Sequence, residues 1–199
     1  FPRENIHEVE KHMNLISQIG IKMNDKRHLI YTIKEEDEKI NELLQRFNLL
    51  GSFIIGIHPG AGKIENRWHV SNFAKLYDMI LEKLNVKVYA IFGEKENNLK
   101  NEFIKYTLHP AIILPTLPLR QFISLLKKTN LVICNDTGVL HLAAGVGTAT
   151  IAIFCATDPN LWNPFGENHI AIYNNSNTID NVFDTITNIV RLDKLTRIL

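Results

Sequence analysis

The sequence predicts an α/β fold: a parallel sheet with helices packed on both faces. Two observations carry this. Short apolar, β-branched runs alternate with amphipathic helical periods about six times along the chain. The runs are apolar throughout, which is how strands buried on both faces read. The stretch from Leu131 to Pro159 shows the unit most clearly. Leu131 to Asn135 is an apolar strand, Gly138 to Val146 a helix and Ala149 to Phe154 a second strand. Polar residues follow both strands, at Asn135-Asp136 and Thr157-Asp158, and strand C-termini are where ligands bind in open α/β sheets.

The other elements follow in order. Residues 4 to 19 read as a helix, because Ile6, Val9, Met13, Ile16 and Ile19 recur at three- and four-residue steps, with Gly20 as its C-cap. His28 to Ile33 reads as a short strand. Lys34 to Leu49 is a second helix, opened by Glu35, Glu36 and Asp37 at the positive end of its dipole and stopped by Gly51. Phe53 to His58 and Val86 to Phe92 are strands. Between them Trp68 to Leu84 is an amphipathic helix with Ser71 as N-cap. Glu96 to Tyr106 and Leu119 to Lys128 are helical, and Ala111 to Leu114 is a short strand followed by Pro115 and Pro118. His169 to Tyr173 is the last strand. Asn174-Asn175-Ser176-Asn177 is a loop, and Thr178 to Arg191 a closing helix.

Composition narrows the function. The 199 residues suffice for one full core, and the 45% apolar and 22% charged content is that of a globular protein. Lys plus Arg number 22 against 21 Asp plus Glu, so the +1 net charge points away from nucleic acid as the main partner. Cys134 and Cys155 lack metal-ligand spacing, and each ends an apolar run, which reads as buried, reduced thiols in a reducing compartment. No run reaches the roughly 18 residues a transmembrane helix needs, and no signal-peptide pattern is present. The chain starts Phe1-Pro2-Arg3 without methionine, so a fragment or a processed chain is expected.

Three loops could hold a ligand. The first, His58-Pro59-Gly60-Ala61-Gly62-Lys63, has small residues that let backbone N–H groups approach an anion, with Lys63 and Arg67 nearby. It lacks both the P-loop spacing and the G-x-G-x-x-G dinucleotide fingerprint. Alone, it reads better as a plain strand-to-helix turn. In the second, Phe92-Gly93-Glu94-Lys95-Glu96, a carboxylate gripping ribose hydroxyls and a solvated helix start stand level. In the third, Asp136-Thr137-Gly138 opens a helix, and its N-terminus is a ready anion site. One of Asp136 or Thr137 could simply cap that helix. His141, three and four residues on, shares the face of Gly138 and Thr137, so several groups converge and a binding role is favoured.

In this order the loops resemble the C-terminal half of the glycosyltransferase family 9 heptosyltransferases, which join a heptose from ADP-heptose to the lipopolysaccharide inner core. The matching stretches are I-G-I-H-P-G-A-G…R-W from Ile55 to Trp68, L-P-T-L-P-L from Leu114, C-N-D-T-G-V-L-H-L-A-A from Cys134, and T-D-P…W-N-P-F-G ending at Gly166. They cover residues 51 to 173. The resemblance implies the GT-B architecture, two Rossmann-like domains facing across a cleft. The C-terminal one holds the nucleotide sugar; the N-terminal one holds the acceptor and the catalytic carboxylate. It divides the chain into three. Residues 1–50 would be a helical segment from the end of the acceptor domain and the interdomain linker, 51–175 the Rossmann-like nucleotide-sugar-binding domain, and 176–199 the C-terminal helix. The missing N-terminal acceptor domain is then the expected partner.

The resemblance also implies roles. Thr137 and Gly138 would hold the diphosphate through main-chain N–H groups, with His141 beside it. Asp136 would reach sugar hydroxyls. Glu96 would take the ribose, with Asn97 an equally good alignment, and the backbone near Leu117 would meet the base. Gly60 and Ala61 belong to the first phosphate loop, Ala61 where the family often has Thr or Ser. No metal or other cofactor is implied. The location implied is cytoplasmic in a bacterium, with peripheral contact at the inner face of the cytoplasmic membrane allowed. The intact enzyme would invert the anomeric centre. Its general base would lie in the missing half, so this chain alone would bind without catalysing. Lys63, Arg67 and the helix at Gly138 would stabilise the departing diphosphate.

The sequence departs from the family where Asn66 replaces a common Lys two residues before the Trp. Cys155 and Ala156 replace Gly and Pro before Thr157-Asp158-Pro159. Asn66 keeps a second reading open, a non-catalytic nucleotide-sugar-binding module. A dehydrogenase-like domain would require the absent glycine fingerprint. Sugar, acceptor and the choice of adenine or uracil are not fixed by the sequence.

Overall fold

A computed structural model describes residues 6–173 and 178–196. Residues 4 and 5 of the first expected helix, and the Asn174–Asn177 loop, lie outside the described residues.

Five parallel strands form one sheet: β1 (Ile54–His58), β2 (Lys87–Ala90), β3 (Leu131–Asn135), β4 (Ala149–Phe154) and β5 (His169–Tyr173). Their order is β2-β1-β3-β4-β5. Ile113 adds a single parallel bridge outside β2, at Ala90. The expected strand at Ala111 to Leu114 is therefore reduced to that bridge, because Pro115 ends the run. With Ile113 at its edge the sheet follows the Rossmann order 3-2-1-4-5-6.

Eight α-helices complete the described residues: α1 (Glu8–Ser17), α2 (Lys34–Arg46), α3 (Val70–Lys83), α4 (Asn97–Tyr106), α5 (Leu119–Lys128), α6 (Gly138–Gly145), α7 (Pro159–Trp162) and α8 (Ile179–Thr196). The two faces of the sheet follow the period-2 alternation of the strands. Ile55, Ile57, Leu131, Ile133, Ile151 and Ile153 join Phe73, Tyr77 and Ile80 of α3, Phe103 of α4 and Val182 and Ile186 of α8. On the other face Ile54 and Tyr89 meet Ile40 and Leu44 of α2. There too Val132, Cys134 and Ala152 meet Leu140 and Ala143 of α6.

The structure corrects several expectations. The Ile40, Leu43 and Leu44 stripe of α2 is buried against Leu49, Ile54 and Tyr89. α1, by contrast, buries no residue. Residues 28 to 33 form no strand. They run beside α6, where Ile30 N–H donates to Gly145 O at 2.7 Å. α3 begins at Val70 with His69 as its N-cap, and the His69 ring nitrogen accepts the Ser71 N–H. Ser71 therefore sits inside the first turn, because His69 supplies the capping acceptor. Cys134 is buried, whereas Cys155 is only half-buried; both are free thiols. Burial raises both thiols, Cys134 strongly, so neither is poised as a nucleophile. Among the described residues no helix is long and apolar enough to cross a membrane.

Candidate functional site

Connections from β1 step to one side of the sheet and those from β3 to the other, so the strand order reverses between β1 and β3. The C-terminal ends of these neighbours, paired at His58 and Cys134, flank the crevice where doubly wound sheets bind ligands. The first and third loops leave from its two lips.

The third loop presents an open helix end. Thr137 is the N-cap of α6, in extended conformation (φ −158°, ψ 168°), and its side chain makes no capping bond. Asp136 does not cap either: its Oδ2 accepts the Thr157 hydroxyl at 2.5 Å, which ties the loop after β3 to the loop after β4. Simple capping therefore accounts for neither residue. Gly138 is exposed, with no heavy atom near where a Cβ would stand. The first N–H groups of the helix are thus offered outward at its positive end.

His141 lies one turn in and is half-buried. Its Nδ1 is buried with no hydrogen-bond partner among the described residues. The ring meets His28 edge-on, centroids 5.8 Å apart. Burial, then the nearby His28, push the His141 imidazole below the ordinary histidine range; Asp136 pulls upward, and His7 adds a smaller push down. The ring is neutral at pH 7 and keeps one nitrogen unspent.

The first loop is held from behind. Asn135 is fully buried, and its Oδ1 accepts the Trp68 N–H at 2.8 Å. Its Nδ2 donates to Pro59 O at 2.7 Å and reaches Gly60 O at 3.4 Å. Arg67 donates through Nε and Nη2 to Ala61 O at 2.9 and 2.7 Å. Lys63 is exposed, and Asn66 is half-buried at the end of a 3-10 turn, Ile64–Asn66.

The second loop reaches the first through Glu96. Its Oε2 accepts the Gly93 N–H at 2.8 Å and lies 3.6 Å from Nε2 of buried His58. Burial holds the His58 imidazole below the ordinary range, against the pull of Glu96. A slot of about 90 Å3 opens beside the pair, lined by His58, Phe92, Gly93, Thr116, Leu117 and Phe122. Larger cavities lie elsewhere. One of about 540 Å3 is lined by Phe53, Asn130 and Thr148, at the opposite, N-terminal ends of the strands. Among the described residues no group of three or more His, Cys, Asp or Glu could hold a metal.

Gly60, Ala61, Arg67, Glu96, Leu117, Asp136, Thr137, Gly138 and His141 thus line or brace one edge of the sheet. Three residues that the sequence places in these loops without a role of their own join them: Asn135, His58 and Thr157. The signal was present for Asn135, a polar side chain ending a strand whose other residues are all apolar.

Sheet order, open helix end and crevice define a Rossmann-like α/β domain. The chain belongs to glycosyltransferase family 9 (heptosyltransferase), whose model matches residues 2–186. It is 29% identical over 158 residues to lipooligosaccharide heptosyltransferase 2 of Haemophilus influenzae, a match spanning 71% of this chain and 43% of that protein. It is 30% identical over 172 residues to lipopolysaccharide heptosyltransferase 1 of Campylobacter coli, spanning 79% and 46%. The matches therefore span less than half the length of these relatives. Among solved structures, a family 9 glycosyl transferase from Veillonella parvula superposes with TM-score 0.84 at 17% identity, covering 94% of this chain and 61% of that one. The E. coli heptosyltransferase WaaC, solved with ADP, gives 0.70 at 16% identity, covering 94% and 57%. The fold is that of the C-terminal, Rossmann-like half of a GT-B glycosyltransferase.

Proposed function

We propose that the crevice between β1 and β3 binds the diphosphate of a nucleotide sugar, ADP-heptose or a related donor. The chain is then the donor half of an inverting glycosyltransferase of lipopolysaccharide core biosynthesis, working in the cytoplasm. One observation carries the reading: the N-terminus of α6 stands open at the topological switch point, with neither Asp136 nor Thr137 spent on capping it.

The N–H groups of Thr137 and Gly138 hold the diphosphate, with Gly60 and Ala61 opposite. The unspent His141 nitrogen hydrogen-bonds a phosphate oxygen. Asp136 takes sugar hydroxyls, Glu96 the ribose, and the slot beside Leu117 the base. In the whole enzyme a carboxylate of the acceptor domain takes the proton of the attacking hydroxyl. This half stabilises the charge on the departing diphosphate. Arg67 braces the loop with two donors on Ala61 O and keeps its charge; since Asn66 is uncharged, Lys63 and Arg67 are the loop's cations for that task. The same observation favours a second reading, a module that binds donor without transfer. Sugar transfer by the longer protein separates the two.

The experiment is calorimetric titration of the 199-residue chain with ADP, UDP and NADH. Saturable one-to-one binding of a nucleoside diphosphate, tighter than NADH, is expected. Binding of NADH alone, or of nothing, overturns the reading.

A further inference from the structure

We propose that Asn135 is a positioning residue that fixes the first loop against the N-terminus of α6, and so makes the crevice select two phosphates over one. The inference rests on the donor-site reading above.

A buried Asn must satisfy one acceptor and two donor functions. Here the acceptor meets the Trp68 N–H, and the donors meet the carbonyls of Pro59 and Gly60. Both ends of the 59–68 loop are therefore tied to one side chain. That side chain immediately precedes Asp136-Thr137-Gly138, so the same residue anchors both anion-facing segments.

The bonds also set direction. A trans peptide is planar, with its C=O and N–H pointing opposite ways. Asn135 draws in the carbonyls of Pro59 and Gly60, and Arg67 draws in that of Ala61. The N–H groups of the same three peptide units, those of Gly60, Ala61 and Gly62, are thereby turned away from these donors. Successive backbone N–H groups not facing the protein's own donors are what a phosphate needs. The helix end alone can serve one phosphate; a second requires this loop at a fixed distance.

Neither Asp nor Ala reproduces the arrangement. Asp would keep the acceptor for Trp68 but would set a carboxylate against two carbonyls, and Ala would leave all three groups unpaired.

The test compares ADP with AMP by titration of the 199-residue chain. Wild type binds ADP more tightly. Asn135→Ala is expected to lower the ADP-to-AMP affinity ratio at least tenfold. Thr148→Ala serves as a control: it removes a buried hydroxyl bond to Leu126 O at the far edge of the sheet. It should lower the melting temperature and leave the ratio intact. A ratio equally intact in Asn135→Ala, at temperatures where that variant is folded, overturns the inference and leaves the donor site standing. No preference for ADP in wild type overturns both. Should Asn135→Ala fail to fold, amide exchange on wild type decides. The Trp68 N–H is expected to be protected before nucleotide is added. Protection that arises only with ADP would mean the ligand, not Asn135, sets the loop.

Discussion

The carboxylate of Glu96 lies directly over Gly60: a Cβ built on Gly60 would stand 1.9 Å from Glu96 Oε1. One side chain from the second loop therefore closes on the first, while its other oxygen is held by Gly93 N–H. Any larger residue at 60 would make the Glu96 carboxylate move.

Gly60→Ala should then expel the Glu96 carboxylate and break its bond to Gly93. The expected cost is about 1–2 kcal/mol, the scale of a lost charged hydrogen bond, together with weaker nucleotide binding. In a Glu96→Ala background the same change should be nearly neutral. A double-mutant cycle by chemical denaturation checks this; additive costs would show that the two residues do not meet.

Gly56 poses a similar demand inside the sheet. It pairs with Tyr89 across β1 and β2, and an added Cβ would come within 2.6 Å of the Tyr89 hydroxyl. That hydroxyl is fixed to Thr129 Oγ1 at 2.8 Å. Gly56→Ala should destabilise the chain by about 1–3 kcal/mol, as overpacking does. Unchanged denaturation would contradict the register.

Much of this was legible in the sequence, for identifiable reasons. The unit from Leu131 to Phe154 declared itself because β3 and β4 are apolar on both faces, and the open end of α6 follows from Gly138 just behind a polar pair. Direction was less legible. The acidic opening residues mark α2 as a helix, but do not tell that Ile40 and Leu44 pack under the sheet against Ile54 and Tyr89. Residues 28 to 33 have strand-like composition, yet Ile30 pairs with the end of α6 instead. Bridging side chains were hardest to see. A polar residue ending a strand reads as the start of a turn, so Asn135 gave no hint of a bond reaching Pro59, 76 residues away.

His141→Ala should weaken ADP binding by about 1–2 kcal/mol with little change in melting temperature. The free imidazole is held low by burial, His28 and His7; a diphosphate beside it would raise it. Binding should then take up a proton, so wild-type affinity should rise as pH falls from the alkaline side towards the ordinary histidine range. The variant should lose that slope. Titrations across this range test it, and a slope that survives His141→Ala assigns the proton to another group.

Stability should depend on pH through the buried imidazoles. Burial lowers His58, His141 and His169. In the unfolded chain each titrates near the ordinary value of about 6.5, so as pH falls the unfolded state binds protons first. Their contribution is present above that value and is lost as pH falls towards the folded values. Melting temperature should decline between pH 7.5 and pH 5.5. A flat profile would contradict the buried, neutral rings.

α1 buries no residue, whereas α2 places Ile40 and Leu44 in the core. Amide exchange should be fast across Glu8–Ser17 and slow across Ile40–Leu44, where opening requires the core to loosen. Equal protection of the two helices would mean that α1 is held by contacts beyond those described.

The account turns on where a diphosphate sits and what holds it. Amide chemical-shift mapping with ADP, in the presence of EDTA, is the most direct test. The largest shifts should fall on Ala61, Gly62, Gly138, Val139 and His141, and saturate at one ADP per chain. Shifts confined to the cavity lined by Arg27, His28 and Phe165, or shifts abolished by the chelator, would contradict a metal-independent site at the open end of α6.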